Sequence, residues 1–405
     1  MIIDVDAHGE PPAEFVAAVR DRIGLPPEQV GETTLRFVAG DLLATAPRET
    51  WPSLEAMLPP GAKAIAGLER IEGFAYDGAD QQGVADPATR LAWLDEQGIA
   101  AQNVIALAGM TSTRFMDDRA AARLMMEACN THMAEVHDGY TERLWPVTVC
   151  DYTDLDWVVA ELTRMRARGS RAFLISAVPT NGIPHFHSSF DRVWSAAEDL
   201  GMIAILHVGA NPATFAPGWT NVEGDMTLLR QLGISQGHQS VQVFLNGMVF
   251  GGVFERHPNL TVLIAECGLH WFSGTFEHME QRNSTHTVSP GVFFGEYRWS
   301  LSPTEFAHRN VRVSPLPTPH QSPARLLEEF PECAVFCSDY AHNEGHPDPV
   351  AYYDDLLRDT PAATRALFFG DSIAECFARM GDPITVAGRR EESTAPGRSP
   401  GERAR

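Results

Sequence analysis

Short apolar runs rich in β-branched residues recur along this chain and alternate with longer amphipathic stretches. The runs fall at residues 1–5, 102–107, 144–149, 171–176, 202–206, 261–265, 311–314 and 334–337. Helical periodicity fills the intervals at 119–137, 155–168, 190–200 and 228–256. Strand–helix alternation predicts parallel strands, because a chain returning to the same end of a sheet needs a long crossover. "MIAIL" (202–206) and "TVLIA" (261–265) are apolar on both faces, as strands covered on both sides should be. Eight such units predict an α/β chain folded as a (β/α)8 TIM barrel, with a doubly wound sheet as the alternative.

The rhythm fails in one place. From residue 9 to 86 there is no clear strand–helix unit, and the stretch is rich in Pro, Gly and Ala ("GEPPAEF", "MLPPGAKAIAG"). A long connection inside a compact domain usually serves function. We read it as an insertion after the first strand, lying over the barrel mouth. The last residues, 388–405, are almost devoid of apolar side chains and are expected to be a disordered tail, so the domain spans 1–387.

Composition narrows the partners. The net charge of −22 argues against nucleic acid, which needs a basic face. No basic-then-apolar leader opens the chain, and no apolar run is long enough to span a bilayer, so a cytoplasmic protein is expected. The six cysteines form no C-x-x-C pair, which predicts buried free thiols. Met125, Met126 and Met133 recur at helical spacing and read as core.

In a barrel the chemistry gathers where strands end. Asp6 and His8 follow the first apolar run, His207 ends the fifth, Glu266 follows the sixth and Asp339 the eighth. Taken singly, a histidine at a strand end is most often a hydrogen-bonded core residue, and an aspartate there caps a helix or turn. Their convergence changes that reading, since buried carboxylates and imidazoles need partners and one divalent cation serves them all. Asp6 and His8, two apart on a strand, point the same way. With His207 and Asp339 they make a mixed N/O set suited to zinc, the expected ion, and equally to Mn²⁺, Fe²⁺ or Ni²⁺. Asp4 is assigned to structure.

At these residues the chain resembles the amidohydrolase-related family (the family-2 type), whose members include aminocarboxymuconate-semialdehyde decarboxylase and the resorcylate decarboxylases. The resemblance is carried by "DVDAH" (4–8), "RLAWLDEQGI", "SSFDRVWSAAEDLGMIAILHVG", "GGVFERHPNLTVLIAECGLHW", "SPTEFAHRNV", "SDYAHNEG" and "FGDSIAECFARMG". It covers residues 2–8 and about 87–382, not the insertion. It implies a barrel with Asp6, His8, His207 and Asp339 as ligands of one divalent ion, Asp339 doubling as a base. Members often form homodimers. One departure stands out: decarboxylase relatives carry a histidine after strand six, where this chain reads Ala265-Glu266-Cys267-Gly268.

A glutamate there can ligate the ion or move protons, but cannot pair with a substrate carboxylate. That favours a metal-dependent hydrolase acting on a small carbonyl, amide or lactone compound, or on a carboxylic acid, through activated water. Asp339, Glu266 and His342 are the expected proton carriers, and His270, Glu344 and His238 the expected substrate contacts. His185 and His187 lie on loops near the same face, while His257 is read as structural. Arg36, Arg48, Arg70 and Arg90 are candidates to clamp an acid, each more simply a surface charge. Non-oxidative decarboxylation of an aromatic or enol acid is the alternative activity. A barrel with a decayed site is the non-enzymatic alternative.

Overall fold

A computed structural model of the chain describes residues 1–24, 86–111, 113, 116, 118–208, 219, 226–288, 297–315, 322–342 and 345–385. Seven parallel strands are present among them. They are β1 (Ile3–Asp4), β2 (Ala101–Val104), β3 (Leu144–Pro146), β4 (Ala172–Leu174), β5 (Ile203–His207), β6 (Val262–Ala265) and β7 (Val311–Val313). Ladders join β1-β2-β3 and β4-β5-β6-β7. Three further links close the ring. Thr148 bridges to Phe173, joining β3 to β4. Val313 bridges to Ala334, so residues 334–337 take the eighth strand position. Val5 then donates to the Phe336 carbonyl at 3.3 Å, returning the ring to β1. Eight parallel segments closed on themselves with helices outside are a TIM barrel.

The strands are short, so the eighth is a bridged segment rather than a ladder, and the expected first strand of 1–5 shrinks to Ile3–Asp4. The expected helix 228–256 is three pieces, Met226–Ser235, Gln239–Phe250 and Val253–Arg256. The first break falls at residues 236–238 and the second at Gly251 and Gly252, the latter at φ 70, a left-handed value that suits glycine. Of the insertion, Ala13–Ile23 is a helix. Residues 25–85, with Arg36, Arg48 and Arg70, lie outside the described residues, as does the tail.

The helices start where their sequences say. Asp86, Asp118 and Asp154 each accept a hydrogen bond from the backbone three residues on. Ser302 and Glu305 form a capping box. Strand alternation sorts the core: Ala204, Leu206, Val262 and Ile264 pack outward on helix residues such as Trp194, Leu245, Met248 and Phe306. The alternate residues Ile203, Ile205, Leu263 and Ala265 cluster with Val335 and Cys337 inside the barrel. His207 continues the inward parity of Ile203 and Ile205. Met125, Met126, Met133 and all six cysteines are buried, the cysteines as free thiols. Among the described residues no helix is long and apolar enough to cross a membrane.

Candidate metal centre

Five side chains from four strand ends meet at the C-terminal mouth: Asp6 and His8 beyond β1, His207 at the end of β5, Glu266 just past β6, and Asp339 past the eighth segment. All are buried, with Asp6 and Asp339 fully so. His207 Nε2 lies 3.3 Å from His8 Nε2 and 3.0 Å from Glu266 Oε2. His8 Nε2 is 3.5 Å from Asp339 Oδ1 and 3.6 Å from Glu266 Oε1. Asp6 Oδ1 stands 3.7 Å from both imidazoles. An ion about 2.1 Å from each donor sets neighbouring donors about 3.0–3.5 Å apart. The cluster therefore has the spacing of one coordination shell, slightly expanded.

Its hydrogen bonding points the same way. Both oxygens of Asp6, both of Asp339 and Glu266 Oε1 are buried without a hydrogen-bond partner. Buried carboxylate oxygens are costly unless something answers them. Hard oxygen donors with two imidazole nitrogens are a fit for a divalent cation. Two groups able to hold one overlap here: Asp6, His8 and His207, and His8, Glu266, Asp339 and His342.

Protons report the same crowding. Burial first, then the charges of Glu266 and Asp339, drive the Asp6 carboxyl well above the usual range. Burial and Glu266 push Asp339 up to about 9. Burial, then His342, takes His8 down to about 3. Glu266 is held well below its ordinary value: burial opposes this, but His207, His342 and His8 outweigh it. His342 stacks on His8 with ring centroids 3.8 Å apart. Its Nδ1 faces Asp339 Oδ1 at 3.0 Å, an ion pair whose geometry is not that of a hydrogen bond, and Glu266 Oε1 at 3.7 Å. Against burial, those carboxylates lift His342 to about 11.

Backbone geometry aims two of these groups. Glu266 and Asp339 have φ of 57 and 54. Non-glycine residues in the left-handed region are strained, and such strain concentrates at functional sites. At Asp339 the turn is pinned: its N–H donates to the Asp6 carbonyl at 2.9 Å, and its carbonyl accepts from His342 N–H at 2.8 Å.

Directly beneath lies a closed polar network. Asp4 Oδ2 accepts from Gln102 Nε2 at 2.7 Å and Ser338 Oγ at 2.5 Å, and Oδ1 from the Ser338 N–H at 3.0 Å. Arg90, also fully buried, donates to Gln102 Oε1 at 2.7 Å and to the His8 carbonyl. Asp4 thus braces β1 against β2 and the eighth segment, as expected, and burial raises it to about 6. Arg90 is neither a surface charge nor an acid clamp, since its guanidinium is spent under the site. The network was missed in sequence; its one signal is a polar Gln-Asn pair inside the apolar run "AQNVIA".

Other candidates fall elsewhere. His238 stacks on Trp271 at 6.1 Å and meets the exposed His270 edge-on at 5.1 Å. Among the described residues neither bonds to the cluster. His185 is buried against Phe190 and Phe244, a packing role, and His187 accepts from Ser189 N–H at the start of a short turn. His257 pairs with Glu198 at 3.0 Å and is structural, as expected. Glu344 lies outside the described residues.

No curated protein matches the sequence significantly. An amidohydrolase from Mycobacterium avium subsp. paratuberculosis K-10 aligns with a TM-score of 0.63 at 18% identity, covering 93% of this chain and 98% of its own. The 5-carboxyvanillate decarboxylase of Sphingomonas paucimobilis gives 0.56 at 18% identity, covering 93% and 98%. A dihydroxybenzoic acid decarboxylase from Polaromonas sp. JS666, solved with manganese and the inhibitor 2-nitroresorcinol, gives 0.57 at 16% identity, covering 93% and 96%. Likeness at this identity establishes the barrel. The amidohydrolase family model matches residues 4–378, from the bracing Asp4 to the last helix. The chain belongs to the amidohydrolase family, and it is an enzyme of that superfamily.

Proposed function

We propose that Asp6, His8, His207 and Asp339 hold one divalent ion and that the site removes CO₂ from an aromatic or enol carboxylic acid. The observation that carries the reading is the His342–Asp339 pair, 3.0 Å apart, set against the donor cluster. An imidazole paired with a carboxylate beside the donor cluster supports a proton donor at this site. His342 is 18% exposed while Asp339 is fully buried, so the imidazole faces the mouth.

An ion in this shell supplies Lewis acidity, polarising a carboxylate and the oxygen beside it. The residues do the rest. His342, held as a cation beside the Asp339 carboxylate, would deliver its proton to the ring carbon that bears the carboxylate. The carbon–carbon bond then breaks, CO₂ leaves, and the bonding pair restores the ring. Asp6 and His8, fixed by the network below, orient the substrate against that proton. Similar folds carrying decarboxylases of dihydroxybenzoate and 5-carboxyvanillate, one with bound manganese, support this choice over the hydrolase expected from sequence.

Hydrolysis is the second reading, and Glu266 favours it. A carboxylate 3.0 Å from His207 repels an anionic acid and suits a neutral carbonyl substrate, with Asp339 taking a proton from water. Incubating manganese-loaded protein with dihydroxybenzoates and 5-carboxyvanillate separates the two. Release of CO₂ that disappears in Asp339→Asn supports decarboxylation. Turnover of esters or lactones with no CO₂ from any acid replaces it with hydrolysis.

A further inference from the structure

The role of Glu266 can be taken further, on the reading that one divalent ion sits among Asp6, His8, His207 and Asp339. Glu266 directly follows the last residue of β6, and its φ of 57 departs from the extended strand at that point. The two oxygens reach ring nitrogens from two different strands: Oε2 to His207 at 3.0 Å and Oε1 to His8 at 3.6 Å. Oε1 is buried and has no hydrogen-bond partner. A proton shuttle should face incoming substrate, yet the Glu266 side chain is only 6% exposed, and His342, at 18%, is the more open of the two. These facts fit a ligand better than a shuttle.

We propose that Glu266 is an additional ligand of the ion and that it biases the site toward hard divalent ions such as Mn²⁺ over Zn²⁺. The shell then holds three carboxylates and two imidazoles. Zinc is content with four donors and readily takes nitrogen, whereas oxygen-rich shells of higher coordination suit manganese and magnesium. Each added carboxylate also adds negative charge, which a nitrogen donor at this position would not.

The test is calorimetric titration of the chelator-stripped, full-length protein with Mn²⁺ and with Zn²⁺, wild type against Glu266→Gln. The amide keeps the shape and removes the charge. Thermal unfolding of the stripped variant reports whether it folds, and Glu266→Asp, which shortens the carboxylate, gives the same comparison if it does not. The expected result is that Mn²⁺ affinity falls about tenfold or more beyond any fall for Zn²⁺. Water-proton relaxation of bound Mn²⁺ should also rise as a ligand place opens to solvent. Equal losses for both ions, or no loss, overturn the proposal while leaving the metal centre intact. Failure of the wild type to take up either ion overturns the metal centre itself.

Discussion

Asp4 ends strand β1 and Asp6 lies two residues further on, both completely buried, and they could hardly differ more. Every oxygen of Asp4 is answered, by Gln102, Ser338 and the local backbone. No oxygen of Asp6 is. One layer of the barrel is closed in its hydrogen bonding; the layer above is left open toward a common point. Burial alone therefore does not mark a functional carboxylate. Burial without satisfaction is the stronger pointer, because a fold has no stability reason to desolvate a carboxylate and leave it unanswered.

The sharpest way to break this contrast is to neutralise the open layer. Asp6→Asn should lower turnover roughly 10²–10³-fold, the scale of a lost Lewis acid, in steady-state assays of the manganese-loaded enzyme. The same change should leave the stripped protein equally or more stable, since burial and then the charges of Glu266 and Asp339 penalise an ionised Asp6, and an amide carries no charge. A large loss of stability in the stripped Asp6→Asn protein would put Asp6 in the bracing layer instead.

The closed layer should answer in the opposite currency. Arg90→Met strands Gln102 and the His8 carbonyl and should cost about 3 kcal/mol in urea denaturation, with or without metal. A cost below about 0.5 kcal/mol would mean the network adds nothing beyond packing.

A buried imidazole away from both layers gives a third handle. Burial holds His185 at about 4 in the fold, against an ordinary 6.5. It is neutral in both states above 6.5, so its share of stability is intact there. As pH falls from 6.5 the unfolded chain takes up the proton first, and stability drops until about 4, by up to about 3 kcal/mol. In chelator, the wild type minus His185→Phe difference in denaturation free energy should show that slope. A flat difference would mean His185 becomes charged inside the fold. Smallest of all, saturating Mn²⁺ at about a hundred times its Kd should stabilise the wild type by about 2–3 kcal/mol and Asp6→Asn far less, read as a shift in thermal midpoint.

Much of this was legible in one dimension because barrel chemistry is written at strand ends. Asp6, His8, His207, Glu266 and Asp339 each follow an apolar run, and the structure brings them together. Asp4 was rightly set apart as a brace. What could not be read was which partners it would find. Gln102 and Ser338 are 98 and 334 residues away, and only closure of the ring makes them neighbours. Likewise nothing in the identity of Glu266 or Asp339 announces a left-handed backbone, because tertiary contacts impose it against local preference. The second break in the long helix had a weak signal, Gly251-Gly252, that the apolar periodicity overrode.

The hydrogen bond from Asp339 N–H to the Asp6 carbonyl lies on the seam where the barrel's last segment meets its first strand. During synthesis the first half of the ligand set emerges hundreds of residues before the second, and no local folding event can unite them. The shell proposed for the ion would therefore be complete only once the last segment has closed on the first strand. Metal uptake by this enzyme would then serve as a reporter of completed folding: partly folded chains, however compact, would hold Asp6 and His8 without their counterparts and would compete poorly for the ion.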